Sequence, residues 1–493
     1  MSDRKASIAR DAVIRMGATG LLYVQNVALL ILIGNRLGAV AYGTWGQIVA
    51  ALGLLIPLLT ANLGRACLRS FPSAFDTGSL RRGFYSMFFF VFLVALGGVG
   101  LGLLSRAAVS LWLFGGEGAG AQVPLVLAFL FARTLTFFVR SYFQGRNQIA
   151  RYSVLEIASL TGQIVAVVAL SYGADRFTLN SVLMALTAIE SVVLVVMLWL
   201  IVRDIGWPSR LSPTLVIEHL RFSLPLIPNL MLLWVINSSD RFVITHSLGL
   251  DQAGLYTAAY QLGRLMNVFM IPIAFGFFPV AARMWDQGER PAVSRYMGKA
   301  LQYYAMIAMP SAVGMICIGP SVLYFLGGVE FDVSHSVIGL LVLGVFAYAT
   351  NQISGYAINL SRRTRVVVPV SLAAAGLNLG MNLWLVPRWG LLAAALSTFL
   401  AFTGRAIALI LICRKEVVPR VSPRVFMRIG AASLCMYPVL RFIPITSPLW
   451  IAVAILCGAV VYASAALLLG VVGREELALL RSVYRRIGRK EDV

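Results

Sequence analysis

Asn237-Ser238-Ser239-Asp240-Arg241-Phe242-Val243-Ile244, followed by Leu248-Gly249 and then by Gly254-Leu255-Tyr256, is the stretch that decides the class of this chain. It sets a carboxylate beside a guanidinium inside residues 222–248, a segment otherwise apolar enough for a bilayer. A charged side chain facing lipid at the bilayer centre costs about 2.5–3.5 kcal/mol on insertion scales, so such groups pair, face water and mark functional positions. Asp240 and Arg241 fall near the outer end of their span, where a gate or lobe-packing pair is expected.

The residues around this segment settle the broad class. Of 493 residues 59% are hydrophobic and 12% charged, and the mean hydropathy is +0.84. A soluble domain carries about 25% charged residues, so this composition predicts an all-α integral membrane protein. The net charge of +21 does not indicate nucleic acid, because the basic residues recur in short bursts between apolar runs and build no basic domain. Met1-Ser2-Asp3-Arg4-Lys5 leads into an apolar run without a small-residue cleavage site, which predicts a retained first span. Five scattered cysteines form no CxxC pair and three distant histidines form no ligand set, so no metal is expected. No phosphate-binding loop, H-E-x-x-H or G-x-S-x-G pattern is present; neither a cofactor nor an enzyme activity is expected.

About 20 apolar residues cross a hydrocarbon core. That length predicts fourteen spans near 13–36, 42–64, 83–104, 120–142, 153–172, 179–202, 222–248, 252–279, 298–326, 335–360, 366–387, 389–413, 426–443 and 448–472. Several contain prolines (Pro57, Pro225, Pro228, Pro272, Pro310 and Pro369), expected to kink them. With both termini inside, the inner segments hold 32 of the 41 basic residues. The outer segments hold only Arg36, Arg106, Arg176, Arg241, Arg388 and Arg441. This alternation is the positive-inside pattern of a multi-pass plasma-membrane protein. Beyond Gly473, Leu477, Leu480, Tyr484 and Ile487 alternate with arginines at helical spacing, predicting a cytoplasmic amphipathic tail on membrane lipids over 474–493.

Leu37-Gly38 precedes Gly43 as Leu248-Gly249 precedes Gly254, each at an offset of 211 residues. Tyr142, Arg151 and Gly162 match Tyr356, Arg365 and Gly376 at an offset of 214. The predicted architecture is therefore two pseudo-symmetric six-helix lobes, 1–208 and 209–415, around a central lumen, with two extra helices in 416–473. Parallel repeats of this kind place substrate between the halves and rock about it.

Three arginines fall inside spans: Arg133, Arg264 and Arg405. With only Glu190 central and Glu156 near an inner end to compensate them, they are expected to line a cationic lumen for phosphate. The two glutamates are candidates for proton or ion coupling. Asn267, Asn378 and Asn382 are candidate sugar contacts; the last two share a helix face at i, i+4 spacing.

Asn35-Arg36-Leu37-Gly38 with Tyr42-Gly43, and Asp240-Arg241 with Leu248-Gly249 and Gly254-Leu255-Tyr256, resemble the signature of the Wzx-type flippases. These are the polysaccharide-transport branch of the multidrug/oligosaccharidyl-lipid/polysaccharide exporter superfamily. The resemblance implies an exporter that moves undecaprenyl-pyrophosphate-linked oligosaccharide to the outer leaflet of a bacterial inner membrane, driven by an ion gradient, with a polysaccharide polymerase as partner. Lipid II or drug transport within the superfamily is the alternative, and a membrane polymerase or ligase a remoter one, since the outer segments are short.

Overall fold

The computed structural model describes residues 2–71, 76–173, 177–208, 210–361, 364–413 and 419–471. The expected tail helix at 474–493 lies outside the described residues, as do Arg362, Arg363, Arg414 and Lys415. Every regular element among the described residues is a helix.

In chain order the helices are α1 (Ser2–Leu29), α2 (Asn35–Leu59), α3 (Leu63–Ser70), α4 (Thr77–Leu104), α5 (Arg106–Phe114), α6 (Val123–Gly145), α7 (Ile149–Ser171) and α8 (Leu179–Ile205). There follow α9 (Pro213–Ser223), α10 (Ile227–Leu248), α11 (Leu250–Arg264), α12 (Met270–Asp286), α13 (Arg290–Gly327) and α14 (His335–Leu360). The last are α15 (Val367–Trp389), α16 (Leu391–Cys413), α17 (Pro423–Leu434), α18 (Met436–Phe442) and α19 (Pro448–Leu468).

Among the described residues twelve helical stretches are long and apolar enough to cross a membrane, and a bent pair over 250–286 makes a thirteenth. The first stretch, Ile14–Leu59, runs 46 residues, about 69 Å at 1.5 Å per residue, more than twice a hydrocarbon core of about 30 Å. It is two spans: Gly38 inside it has φ 84° and ψ 177°, a conformation open only to glycine. The fourteen expected spans are thereby accounted for. The expected 426–443 span is α17 and α18 in series, interrupted at Cys435.

Gly249, the repeat partner of Gly38, has φ 101° and ψ 170°. The two Leu-Gly motifs thus break their helices with the same backbone. Pro225 and Pro228 do not kink a helix as expected: they occupy a 3-10 turn (Leu224–Leu226) and the start of α10. A missing N–H costs little in a first helical turn, where those donors have no intrahelical acceptor. Pro57 and Pro310 do lie within helices.

The chain forms two compact units. The first comprises residues 1–261, 326–333 and 365–404. Its apolar core is an aromatic stack joining α4 to α6, in which Phe84 lies 6.0 Å from Phe138 and 5.3 Å from Tyr142 between ring centroids. Met197 and Ile201 of α8 complete it. The second unit comprises 262–325, 334–364 and 405–493. There Ile429 and Ala432 of α17 pack with Ala305 of α13 and Ala466 of α19, and the Tyr462 hydroxyl donates to the Met306 carbonyl at 2.7 Å.

Candidate functional site

In the first unit, four helices converge on a chain of charged side chains. On α6, Arg133 and Arg140 are seven residues apart, two turns of one face. On α7, Glu156, Ser159 and Gln163 follow the same i, i+3, i+7 rule. Arg133 pairs with Glu190 of α8, which is fully buried. Arg140 reaches Glu190 at 3.8 Å and Glu156 at 3.9 Å, while Arg15 of α1 pairs with the other Glu156 oxygen. Gln163 donates to Glu190 Oε1 at 2.9 Å and accepts from Gln25 of α1. Glu190 Oε2 has no hydrogen-bond partner among the described residues.

This geometry corrects the expected charge balance. Arg133 is not a surplus cation, since Glu190 neutralises it. The cluster instead holds three guanidiniums, Arg15, Arg133 and Arg140, against Glu156 and Glu190, leaving one positive charge. The sequence alone places Arg15 and Arg140 at inner span ends; the seven-residue spacing of Arg140 from Arg133 is the signal that sets those two on one face. The side chains of Arg15 and Arg133 are 30% and 28% exposed, so the partly buried Glu156 and fully buried Glu190 hold cations that still reach open space.

A second feature of this unit surrounds Asp240, again fully buried. Its Oδ2 accepts from the Tyr256 hydroxyl at 2.6 Å and from Thr398 Oγ1 at 3.4 Å. Arg241 turns elsewhere, donating to the Asn237 carbonyl at 3.1 Å with its Cζ 4.7 Å from the Tyr260 ring centroid. Adjacent helical residues diverge by about 100°, so the two side chains do not pair with each other; each instead joins α10 to other helices, Arg241 through its carbonyl, which accepts from Gln47 of α2 at 3.2 Å. Gly-Leu-Tyr has a concrete role here, since its tyrosine bonds the carboxylate of Asp-Arg. The Asp240 carboxylate, the Tyr256 and Thr398 hydroxyls and the Ala394 carbonyl, 3.5 Å from Tyr256 Oη, are hard oxygens. Such a donor set suits a proton or one hard monovalent cation. No group of three or more His, Cys, Asp or Glu gathers among the described residues.

Asn378 and Asn382 of α15, expected to contact sugar, are fully buried and meet each other at 3.2 Å. Ser397 of α16 donates to Asn382 at 2.7 Å, and Ser239 of α10 to Asn378 at 3.4 Å. In this conformation they bind helix to helix, as i, i+4 amides on a buried face do.

In the second unit, Arg264 ends α11 and Asn267 closes the short 3-10 turn that follows, within a span bent by 48°. Arg264 makes no hydrogen bond or ion pair with the described residues, and the buried Asn267 Oδ1 lacks a partner among them. An interrupted helix carrying unsatisfied polar groups is a common form of transporter binding site. Arg405 of α16 is buried, 9% exposed.

Comparison with known proteins decides the family. The description "Polysaccharide biosynthesis protein" matches residues 8–285, more than half of the chain. The chain belongs to this family. A second description, "Lipid II flippase MurJ", matches residues 252–475.

Among curated relatives, a probable flippase AglR of Haloferax volcanii is 25% identical over 252 residues, covering 49% of this chain and 52% of the relative. A putative O-antigen transporter of Shigella flexneri is 25% identical over 161 residues, covering 32% and 37%. The chain thus spans about half the length, or less, of the curated relatives it matches.

Among solved structures, the lipid II flippase MurJ in an inward closed conformation matches at TM-score 0.73 and 14% identity, over 92% of this chain and 98% of that one. An inward-facing multidrug resistance MATE family transporter of the MOP superfamily matches at 0.59 and 17%, over 85% and 98%. At these identities the likeness shows the fold alone: an all-helical, multi-span membrane bundle like that of these two structures. The expected resemblance to polysaccharide-transport flippases is thereby borne out.

Proposed function

We propose that this protein is a flippase for lipid-linked oligosaccharide, acting by alternating access between six-span repeats, and not an enzyme. The observation that carries this reading is the arginine–glutamate cluster of α1, α6, α7 and α8, which keeps one net positive charge at membrane depth. Buried carboxylates hold the guanidiniums in place, and a guanidinium binds phosphate in bidentate fashion. The pyrophosphate of an undecaprenyl carrier is the matching ligand in a bacterial inner membrane with both termini cytoplasmic. Arg264 is a separate phosphate contact in its own unit, where α11 gives way to the 3-10 turn Leu265–Asn267. The family and the flippase names of the relatives support this reading.

For coupling to an ion gradient, three carboxylates are candidates, Glu190 and Asp240 fully buried and Glu156 partly so. Glu190 and Glu156 are held by arginines, so releasing either to a proton would free a guanidinium for phosphate. Asp240, surrounded by neutral oxygens, is the better seat for a proton or a monovalent cation. A polysaccharide polymerase would draw on the delivered units at the outer face.

The test is surface polysaccharide in a strain lacking its own flippase. Arg264→Ala and Arg133→Ala should each abolish display while full-length protein stays in the membrane. Full display by both variants would overturn the proposal.

A second reading, transport of lipid II, is favoured by the match of the lipid II flippase description to residues 252–475. Rescue of cells depleted of their lipid II flippase, without rescue of the polysaccharide mutant, would select it.

A further inference from the structure

We infer that His246 is a proton-binding site whose charged form fastens the short helix α5 to the end of α10. The imidazole is exposed and stands in the last turn of α10. Its Nδ1 lies 2.8 Å from the Phe242 carbonyl oxygen, one turn back on the same helix. Its Nε2 lies 3.1 Å from the Leu111 carbonyl oxygen of α5. Both partners are carbonyl oxygens, which accept and never donate. A neutral imidazole has one N–H donor and one acceptor lone pair, whereas the imidazolium has two donors. Only the charged ring makes both bonds. In the neutral ring one nitrogen turns a lone pair on an oxygen.

Two further observations favour the charged ring. Leu111 belongs to the last turn of α5 as His246 does to that of α10, so the ring sits at the C-terminal ends of two helices. Each such end carries partial negative charge and favours a cation. His219 supplies the contrast within the same chain. Its Nδ1 lies 2.7 Å from the Leu215 carbonyl, but its Nε2 lies 3.1 Å from the Ser70 hydroxyl, which can donate. The neutral form satisfies His219 and leaves His246 with a repulsive contact.

The charged groups on the neighbouring elements do not replace the proton. Arg106 opens α5, five residues before Leu111. On α10, Asp240 accepts from Tyr256 and Thr398, and Arg241 donates to the Asn237 carbonyl. Asp251 of α11 accepts from Gln252 at 3.1 Å. None of these four forms an ion pair with His246. Glu117 follows α5, and its side chain lies outside the described residues.

Both helices lie in the first compact unit, α5 in the first expected repeat and α10 in the second. Trp112 and Phe242, 5.0 Å apart between ring centroids, bring them together, and the proton adds a polar bond across that contact. If the repeats rock as proposed above, the protonated ring holds them together at this end and the neutral ring releases them. That consequence rests on the alternating-access reading. The clamp itself does not, and purified protein suffices to test it.

The measurement is hydrogen–deuterium exchange of full-length protein in detergent, read on peptides spanning α5 and corrected for the intrinsic pH dependence of exchange. An ordinary imidazole titrates near pH 6.5, so about pH 5.5 and about pH 8 bracket the change. The bond to Leu111 is present at the lower pH and lost as pH rises. In wild type, α5 should therefore exchange about tenfold more slowly at the lower pH, the effect of one charge-assisted hydrogen bond. His246→Gln, neutral throughout, should exchange at both pH values as wild type does at the higher. His219→Gln should keep the wild-type response of α5. An α5 that ignores pH in wild type, a response retained in His246→Gln, or one abolished by His219→Gln would each overturn the inference.

Discussion

Gly43 and Gly254 pack against each other's segments reciprocally: a Cβ on Gly43 would strike the Leu250 carbonyl, and a Cβ on Gly254 the Ala39 carbonyl. Both the glycines and the carbonyls are separated by the 211 residues of the sequence repeat. Two copies of one motif thus meet backbone to backbone, and only glycine permits that approach. Gly43→Ala or Gly254→Ala must push the backbones apart, at a cost of about 1–3 kcal/mol. Thermal unfolding of purified protein should show both below wild type, with Gly100→Ala, where a Cβ meets open space, unchanged.

The helix breaks at Gly38 and Gly249 lead to a parallel expectation. A side chain at φ 84° or φ 101° is strained whatever room it finds, by about 1–3 kcal/mol. A Cβ would meet a carboxylate oxygen at either site, Glu330 Oε2 at 2.9 Å from Gly38 and Asp251 Oδ1 at 2.8 Å from Gly249, but Asp251 is an exposed side chain free to turn away, whereas Glu330 is held by the Ala39 amide at 2.7 Å. Gly38→Ala should therefore lower the melting temperature more than Gly249→Ala. The reverse order would show that the Glu330 contact contributes nothing.

Arg133 and Glu190 allow a test that separates stability from transport. Arg133→Ala leaves a fully buried carboxylate with Arg140 at 3.8 Å as its remaining cation. Removing one partner of a buried pair costs about 3–5 kcal/mol, and Arg140 keeps this case near the lower end. Adding Glu190→Gln to Arg133→Ala should restore most of the lost stability in detergent melts. It should not restore surface polysaccharide if the guanidinium itself serves the cargo.

Around Asp240, Tyr256→Phe removes the hydroxyl that lies 2.6 Å from a buried carboxylate oxygen. A hydrogen bond to a charged group contributes about 1.5–3 kcal/mol. The loss should appear in Tyr256→Phe but be much smaller when Asp240→Asn is already present. Additive losses in this double-mutant cycle would show that the two groups do not interact.

The sequence by itself determined the class, the spans and the family signature, because each follows from local quantities. Apolar run length is set by bilayer thickness, basic bursts by topology, and the Leu-Gly repeat by a backbone conformation that glycine alone adopts. It also located ionisable residues at membrane depth. Tertiary structure alone decided which of them meet. Arg133 found Glu190 at 57 residues' separation and Arg15 found Glu156 at 141, distances over which no periodicity carries information. The charge surplus expected at Arg133 was cancelled by a partner on another helix, and the sugar-facing amides Asn378 and Asn382 were taken up by one another. Asp240 and Arg241, neighbours in sequence, were parted by the pitch of α10, and only the fold supplied Tyr256 as the partner of the carboxylate. Pairing energies in a bilayer depend on which helix faces touch, and that is a property of packing that composition and spacing do not contain.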